Sequence, residues 1–169
     1  VIDPACSVVF EAEKEEDDVM QRPPRDPASP LLHPKRIVWA ALQGLIVLAL
    51  LAGVFISAAR MSMPEPDLRA LVFTSLVFMN MGLILVNRSF TASLFGAFLR
   101  PNLSLWILLG SVTALLATAV FWPPAQKLFH FGLLHWDDLG ICAIAGFFSL
   151  LLLEAIKSLW FRNGSEDGK

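Results

Sequence analysis

Charged residues are scarce in this chain of 169 residues, of which only 17% are Asp, Glu, Lys or Arg. In a typical soluble domain, charged residues make up about a quarter of the chain. Hydrophobic residues make up 56% of the chain and lie in long uninterrupted runs rather than on one face of amphipathic segments. The formal net charge is -2, and no basic stripe with interleaved aromatic residues occurs, which argues against a nucleic-acid partner. The composition therefore predicts a membrane protein.

The chain is also poor in cysteine and lacks a common nucleotide-binding motif. Its two cysteines, Cys6 and Cys142, are far apart and lie in apolar sequence, which predicts buried free thiols rather than a disulfide. No phosphate-binding loop ending in Gly-Lys-Ser/Thr is found. Because the chain opens on Val1 with no charged segment before the first apolar residues, we expect no signal peptide and a start within a longer protein.

Four apolar runs are long enough to cross a bilayer, whose core takes about 20 helical residues. Trp residues lie near the ends of these runs, where an interfacial aromatic belt is expected. The predicted spans are about 37–59, 70–86, 103–122 and 139–159. The predicted fold class is all-α, a polytopic transmembrane helix bundle with four full spans inside residues 37–160.

Shorter segments flank the predicted spans. Residues 1–10 are apolar but too short to cross a bilayer, so we interpret them as the cytoplasmic half of an N-terminal transmembrane helix. Residues 11–36 combine an acidic run with a Pro-rich stretch, which predicts an extended, solvated loop. Ten Lys and Arg residues fall on the side of this loop and of the tail 161–169, against three on the other side. This asymmetry predicts that both termini are cytoplasmic.

Asp3 is the first candidate for a functional side chain. A carboxylate within an apolar helix is costly and marks an ion or proton path by default. Hard cations take oxygen ligands, and Pro4 removes a backbone donor, so nearby carbonyl groups can turn toward an ion. From the residues alone, a role for Asp3 as a helix cap stays open.

Other polar residues have simpler interpretations. The acidic run Glu11–Asp18 is typical of a solvated surface, and Asn80 in the second span can offer an oxygen to an ion or a hydrogen bond to another helix. Glu154 and Lys157, three residues apart, predict an ion pair with the lysine reaching toward the membrane surface. Four residues before or at the start of the last span are of metal-ligand type: His130, His135, Asp137 and Asp138. We interpret this group as residues of a helix start and of the membrane interface, not as a metal site.

Several sequence blocks together resemble one known family. They are Asp3-Pro4-Ala5-Cys6-Ser7, Met20-Gln21-Arg22-Pro23-Pro24-Arg25, Asn87-Arg88-Ser89, Pro101-Asn102, Pro123-Pro124 and Glu154-Ala155-Ile156-Lys157. At this spacing the chain resembles the region from the end of the sixth to the tenth transmembrane helix of P-type ATPases. The similarity is to the bacterial cation-transporting branch of the calcium-pump family.

The resemblance implies roles for particular residues. It places Asp3 on the family's ion-binding aspartate, and it places Glu16 and Asp18 in a loop that couples the ion sites to the phosphorylation domain. Asn80 becomes a candidate for the ion path. The family's eighth helix supplies an acidic ligand in calcium pumps, whereas residues 70–86 contain no carboxylate. That departure puts a two-calcium stoichiometry in doubt.

The resemblance also implies what surrounds the chain. The phosphorylated Asp-Lys-Thr-Gly motif is absent, so we expect no catalytic residue here and no hydrolysis by the chain alone. ATP and magnesium would serve the parent pump, and no metal beyond the transported cation is implied. The partners would be the lipid bilayer, the N-terminal part of the same pump and the cation, in a bacterial plasma membrane. The alternative is an independent four-span membrane accessory or interaction protein with no transport activity.

Overall fold

Five helices make up the part of the chain that the structure describes, which is residues 34–87 and 103–162 of a computed structural model. They are α1 (Pro34–Arg60), α2 (Glu65–Asn87), α3 (Leu103–Phe121), α4 (Pro123–Phe129) and α5 (Trp136–Arg162). Four of them, α1, α2, α3 and α5, are long and apolar enough to cross a membrane. The predicted all-α fold with four spanning helices is confirmed. The predicted half-helix over residues 1–10 lies outside the described residues.

Charged residues and proline account for two of the helix boundaries. α2 begins at Glu65, five residues before the predicted span 70–86, and Glu65 forms an ion pair with Arg69 one turn later. α3 ends before Pro123, which has no amide hydrogen for a continuing helix and instead begins α4. Trp122 between the two helices has an extended backbone. The chain therefore changes direction between α3 and α4.

The short helix α4 and the loop after it were not predicted as ordered elements. His130 ends α4 in the left-handed conformation with φ 54°, and its amide donates to the Gln126 carbonyl oxygen. The Gly132 amide then donates to the Pro66 carbonyl oxygen at 2.9 Å. A Cβ atom at Gly132 would overlap the Asp67 carboxylate. Glycine thus lets this loop approach the first turn of α2.

α2 is the central helix of the described bundle. It contacts α1, α3 and α5. Half of its spanning window is buried, against 17%, 33% and 22% for α1, α3 and α5. α1 and α3 run antiparallel to α2, whereas α5 runs parallel to it, since Leu71 lies near Cys142 and Val86 near Lys157. We call the end of the bundle where α2 and α5 finish the Asn87 end, and the opposite one the Glu65 end.

α2 and α5 pack through small residues interspersed with large apolar ones, at a spacing of four, three and four. The positions are Leu71, Ser75, Phe78 and Gly82 on α2, and Cys142, Gly146, Ser149 and Leu153 on α5. A Cβ atom built on Gly146 would lie 2.7 Å from Phe78 Cβ, and one on Gly82 would lie 3.4 Å from Leu150 Cβ. This is the heptad spacing of left-handed helix pairs, and small residues let the two backbones approach closely.

Candidate ion-path residue and polar contacts between the helices

One of the four side chains predicted to serve ion transport lies in the described residues. Asp3, Glu16 and Asp18 lie outside them, whereas Asn80 is part of α2. The structure therefore describes the surroundings of Asn80, and the carboxylates remain predictions.

Asn80 lies on a strip of α2 that the other described helices leave partly open. On one side of the strip Met79 packs against α1 and α5, and on the other Ile84 packs against α3. Leu76 and Phe73, one and two turns before Asn80, share its strip, and Phe73 is exposed while Leu76 and Asn80 are half-buried. Within the described residues the Asn80 amide makes no hydrogen bond. Its oxygen is available to a ligand or to another part of the protein.

An amide pair joins α1 to the last residue of α2. Gln43 Nε2 donates to Asn87 Oδ1 at 2.9 Å, and Asn87 Nδ2 donates to Gln43 Oε1 at 3.3 Å. Gln43 is only 5% exposed. Because each amide supplies both a donor and an acceptor, the two groups satisfy each other within the membrane region.

Lys157 reaches across from α5 to the end of α2. Its Nζ atom donates to the Val86 carbonyl oxygen at 3.0 Å and lies 3.6 Å from Glu154 Oε2. The residue is 6% exposed. The predicted ion pair with Glu154 is present, and the ammonium is buried against the end of α2. The Val86 carbonyl is among the last four of α2, which lack a donor within the helix, and it attracts the ammonium inward.

The thiol of Cys142 and the hydroxyl groups of Ser75 and Ser149 are buried where α2 meets α5. Ser75 Oγ donates to Cys142 Sγ at 3.3 Å, and Cys142 Sγ lies 3.5 Å from the Leu71 carbonyl oxygen. Cys142 is free and buried as predicted, whereas Cys6 lies outside the described residues. Thr74 is fully buried, and its hydroxyl has no hydrogen-bond partner among the described residues.

The chain matches, over residues 1–159, a family described as "Cation transporting ATPase, C-terminus". The chain belongs to this family. The four spanning helices therefore form the C-terminal membrane region of a P-type cation-transporting ATPase. A search among curated proteins gave no match.

Within this ATPase region, the described residues hold no group of three or more His, Cys, Asp or Glu side chains that fits a metal ion. Asp138 has a structural role at the start of α5. The His135 amide donates to Asp138 Oδ2 at 3.0 Å, so Asp138 satisfies a backbone donor at the start of α5. The arrangement is that of a helix start, as the sequence analysis interpreted it.

Sequence reasoning missed the amide pair and the contact from Lys157 to Val86. Gln43 is the one amide in the predicted span 37–59, and a lone amide in an apolar helix predicts a partner on another helix. That signal was available, but it does not identify Asn87 as the partner. A lysine bonded to a backbone carbonyl leaves no pattern in the sequence, because every residue carries such a carbonyl.

Proposed function

We propose that the chain is the C-terminal transmembrane part of an ATP-driven cation pump and serves as the scaffold of its ion pathway. The observation that carries this proposal is the family match over residues 1–159. The predicted spans 37–59, 70–86 and 103–122 contain no Asp or Glu, which suits helices that support an ion path more than helices that line it. The energy of transport would come from the phosphorylation and nucleotide-binding domains of the parent pump, with ATP and magnesium as their cofactors.

Asp3 is the ion-binding carboxylate of this proposal. The residue lies within the matched region, and its Asp-Pro-Ala-Cys-Ser surroundings resemble the family's ion-binding helix. A carboxylate in an apolar segment suits a hard cation, which prefers oxygen ligands.

Asn80 is the second candidate for the ion path, and the geometry of α2 supports it. Its amide is half-buried at membrane depth and makes no hydrogen bond to the described residues. It also lies on the one strip of α2 that α1, α3 and α5 leave partly open. An amide oxygen there can act as a neutral ligand in addition to the carboxylate of Asp3. Such a site carries less negative charge than a site that binds two calcium ions requires.

The remaining parts of the proposal follow from sequence. Glu16 and Asp18 belong to an acidic loop that would couple ion binding to phosphorylation, and the excess of Lys and Arg on its side supports cytoplasmic termini. The resemblance of the sequence blocks to the bacterial branch of the calcium-pump family supports a location in a bacterial plasma membrane.

The test is ATP-dependent cation uptake into vesicles by the full-length pump, with calcium, magnesium, manganese, sodium and protons offered in turn. Asp3→Asn should abolish uptake of one cation while phosphorylation by ATP continues, because only the ion site has lost its charge. Asp67→Asn is the matched control, since Asp67 lies at the start of α2, where Gly132 packs beside it. This control should transport as the unaltered pump does.

Two results would contradict parts of this proposal. Unchanged uptake by Asp3→Asn would remove Asp3 from the site and leave the scaffold role alone. A full-length protein that neither becomes phosphorylated by ATP nor moves any of these ions would favour the accessory-protein alternative.

A further inference from the structure

We propose that Lys157 is a positioning residue that holds the Asn87 end of α2 against α5, and that Gln43 holds the same end against α1. We call the four residues Lys157, Val86, Gln43 and Asn87 the α2 clamp. Its core is the 3.0 Å hydrogen bond from Lys157 Nζ to the Val86 carbonyl oxygen.

The contact between Lys157 and Val86 supplies a partner both to a buried ammonium group and to a carbonyl group at a helix end. A buried ammonium within a membrane helix is costly unless it has partners, and Lys157 has the Val86 carbonyl oxygen and the Glu154 carboxylate. The Val86 carbonyl is close to the end of α2, where no later amide can reach it. A side chain without a hydrogen-bond donor at position 157 would leave that carbonyl unsatisfied.

The amide contact acts on the next residue from another direction. Val86 is held by α5, and Asn87 is held by Gln43 of α1 through two hydrogen bonds. The two contacts reach α2 from different helices, α5 and α1. The end of α2 is therefore fixed on two faces by polar contacts, which are more directional than apolar packing.

The α2 clamp joins three of the four spanning helices and omits α3. Near the same end, Leu105 of α3 meets Ile84 of α2 in an apolar cluster. We infer that α1, α2 and α5 move as one body during transport, a consequence that rests on the proposed pump function. A pump that alternates between two states needs a part that keeps its geometry while other helices shift.

The experiment compares three variants of the full-length pump in vesicles: Lys157→Met, Lys157→Arg and the control Lys127→Met. Methionine keeps an apolar stem but removes the donor, arginine keeps a charged donor, and Lys127 is exposed in α4. The measurements are cations moved per ATP hydrolysed and the rate of thermal inactivation. Lys157→Met should inactivate about tenfold faster, as expected when a hydrogen bond from a charged group is lost. It should also move fewer cations per ATP, with both defects largely restored in Lys157→Arg and absent in Lys127→Met.

The possible outcomes distinguish a failure of the α2 clamp from a general defect in folding and from a failure of the proposed pump function. An unchanged ratio of cations to ATP in Lys157→Met, or equal defects in the Met and Arg variants, would overturn the positioning role. If Lys157→Met yields no protein, acetylation of the unaltered pump in detergent, read by mass spectrometry, still decides burial. Lys157 should then react roughly ten times more slowly than Lys127, and equal rates would overturn the clamp. A pump that moves no cation would refute the proposed function, while acetylation and inactivation would still test the clamp.

Discussion

The contact of α2 with α5 and the contact of α2 with α3 are built differently, although all three helices are strongly apolar. α5 meets α2 through small residues, with Gly146 against Phe78 and Gly82 near Leu150. α3 meets α2 through large apolar side chains, and an apolar groove of about 740 Å³ is lined by residues of α2, α3 and α4. In lipid the exchange of one apolar surface for another drives little association, so close approach of backbones decides which helices pair tightly.

The hydroxyl groups show the same contrast. On α3, Ser111, Thr113 and Thr118 each donate to a carbonyl oxygen four residues earlier in their own helix. At the contact of α2 and α5, Ser75 instead donates to Cys142 on the other helix. The hydroxyl groups of α3 are thus satisfied within their own helix, so α3 can be exposed to lipid. The hydroxyl group of Ser75 in α2 needs a partner on α5. The predictions that follow test this difference as free energies of unfolding, measured in mixed micelles titrated with SDS.

The largest effect is expected where α5 is buried deepest. Leu153→Ala should lower the free energy of unfolding by about 2–5 kcal/mol, because Leu153 is 0% exposed and its loss opens a cavity beside Met79 and Val86. Leu151→Ala in the same helix should change it little, since Leu151 is 48% exposed. Equal losses in the two variants would mean that α5 is not held against α2 as described.

A second substitution adds one methyl group to the close contact. Gly146→Ala should destabilise the bundle by about 1–3 kcal/mol, because the new Cβ would lie 2.7 Å from Phe78 Cβ and 3.2 Å from the Phe78 carbonyl carbon. Backbone atoms cannot rotate away, so α2 and α5 must separate. Gly140→Ala is the matched control in the same helix, where nothing lies within 4 Å of the added methyl group. A Gly146→Ala variant as stable as Gly140→Ala would show that the contact is looser.

A third substitution should stabilise the protein. Thr74→Val removes a buried hydroxyl that has no partner among the described residues and keeps the shape of the side chain. We expect a gain of about 1 kcal/mol in the free energy of unfolding, the size of a desolvation cost no longer incurred. Thr113→Val should give a change near zero, since Thr113 is exposed on α3. A loss of stability in Thr74→Val would reveal a hydrogen bond to a group beyond the described helices.

The smallest effect is expected for the amide pair between α1 and α2. A double-mutant cycle of Gln43→Leu and Asn87→Leu should give a coupling energy of about 0.6 kcal/mol, the average for hydrogen bonds between membrane helices. The measurement compares the two single variants with the double variant in the same SDS titration. Zero coupling would remove Gln43 from the α2 clamp and leave Lys157 as its only polar contact.

The spans were predictable because a bilayer selects for length and apolarity, and both are read directly from sequence. Pro123 marked the end of α3 for an equally local reason, since proline lacks the amide hydrogen that a helix needs. The glycines show what local sequence patterns do not predict, namely which of them lie at a close helix contact. Six glycines lie inside the predicted spans, and the sequence does not distinguish them, yet Gly44, Gly53, Gly110 and Gly140 have open space around them, and Gly82 and Gly146 do not.

The sequence by itself determined the four helices of the described residues that are long and apolar enough to cross a membrane, and its motifs indicated the family that the comparison then showed. Only the tertiary structure decided that α2 is the centre, that α5 is its tight neighbour and that Lys157 turns inward to Val86. Insertion into a bilayer depends on each helix separately, so a run of residues carries the information. Pairing depends on which surfaces and carbonyl groups meet across helices tens of residues apart, and that information exists only in the folded arrangement.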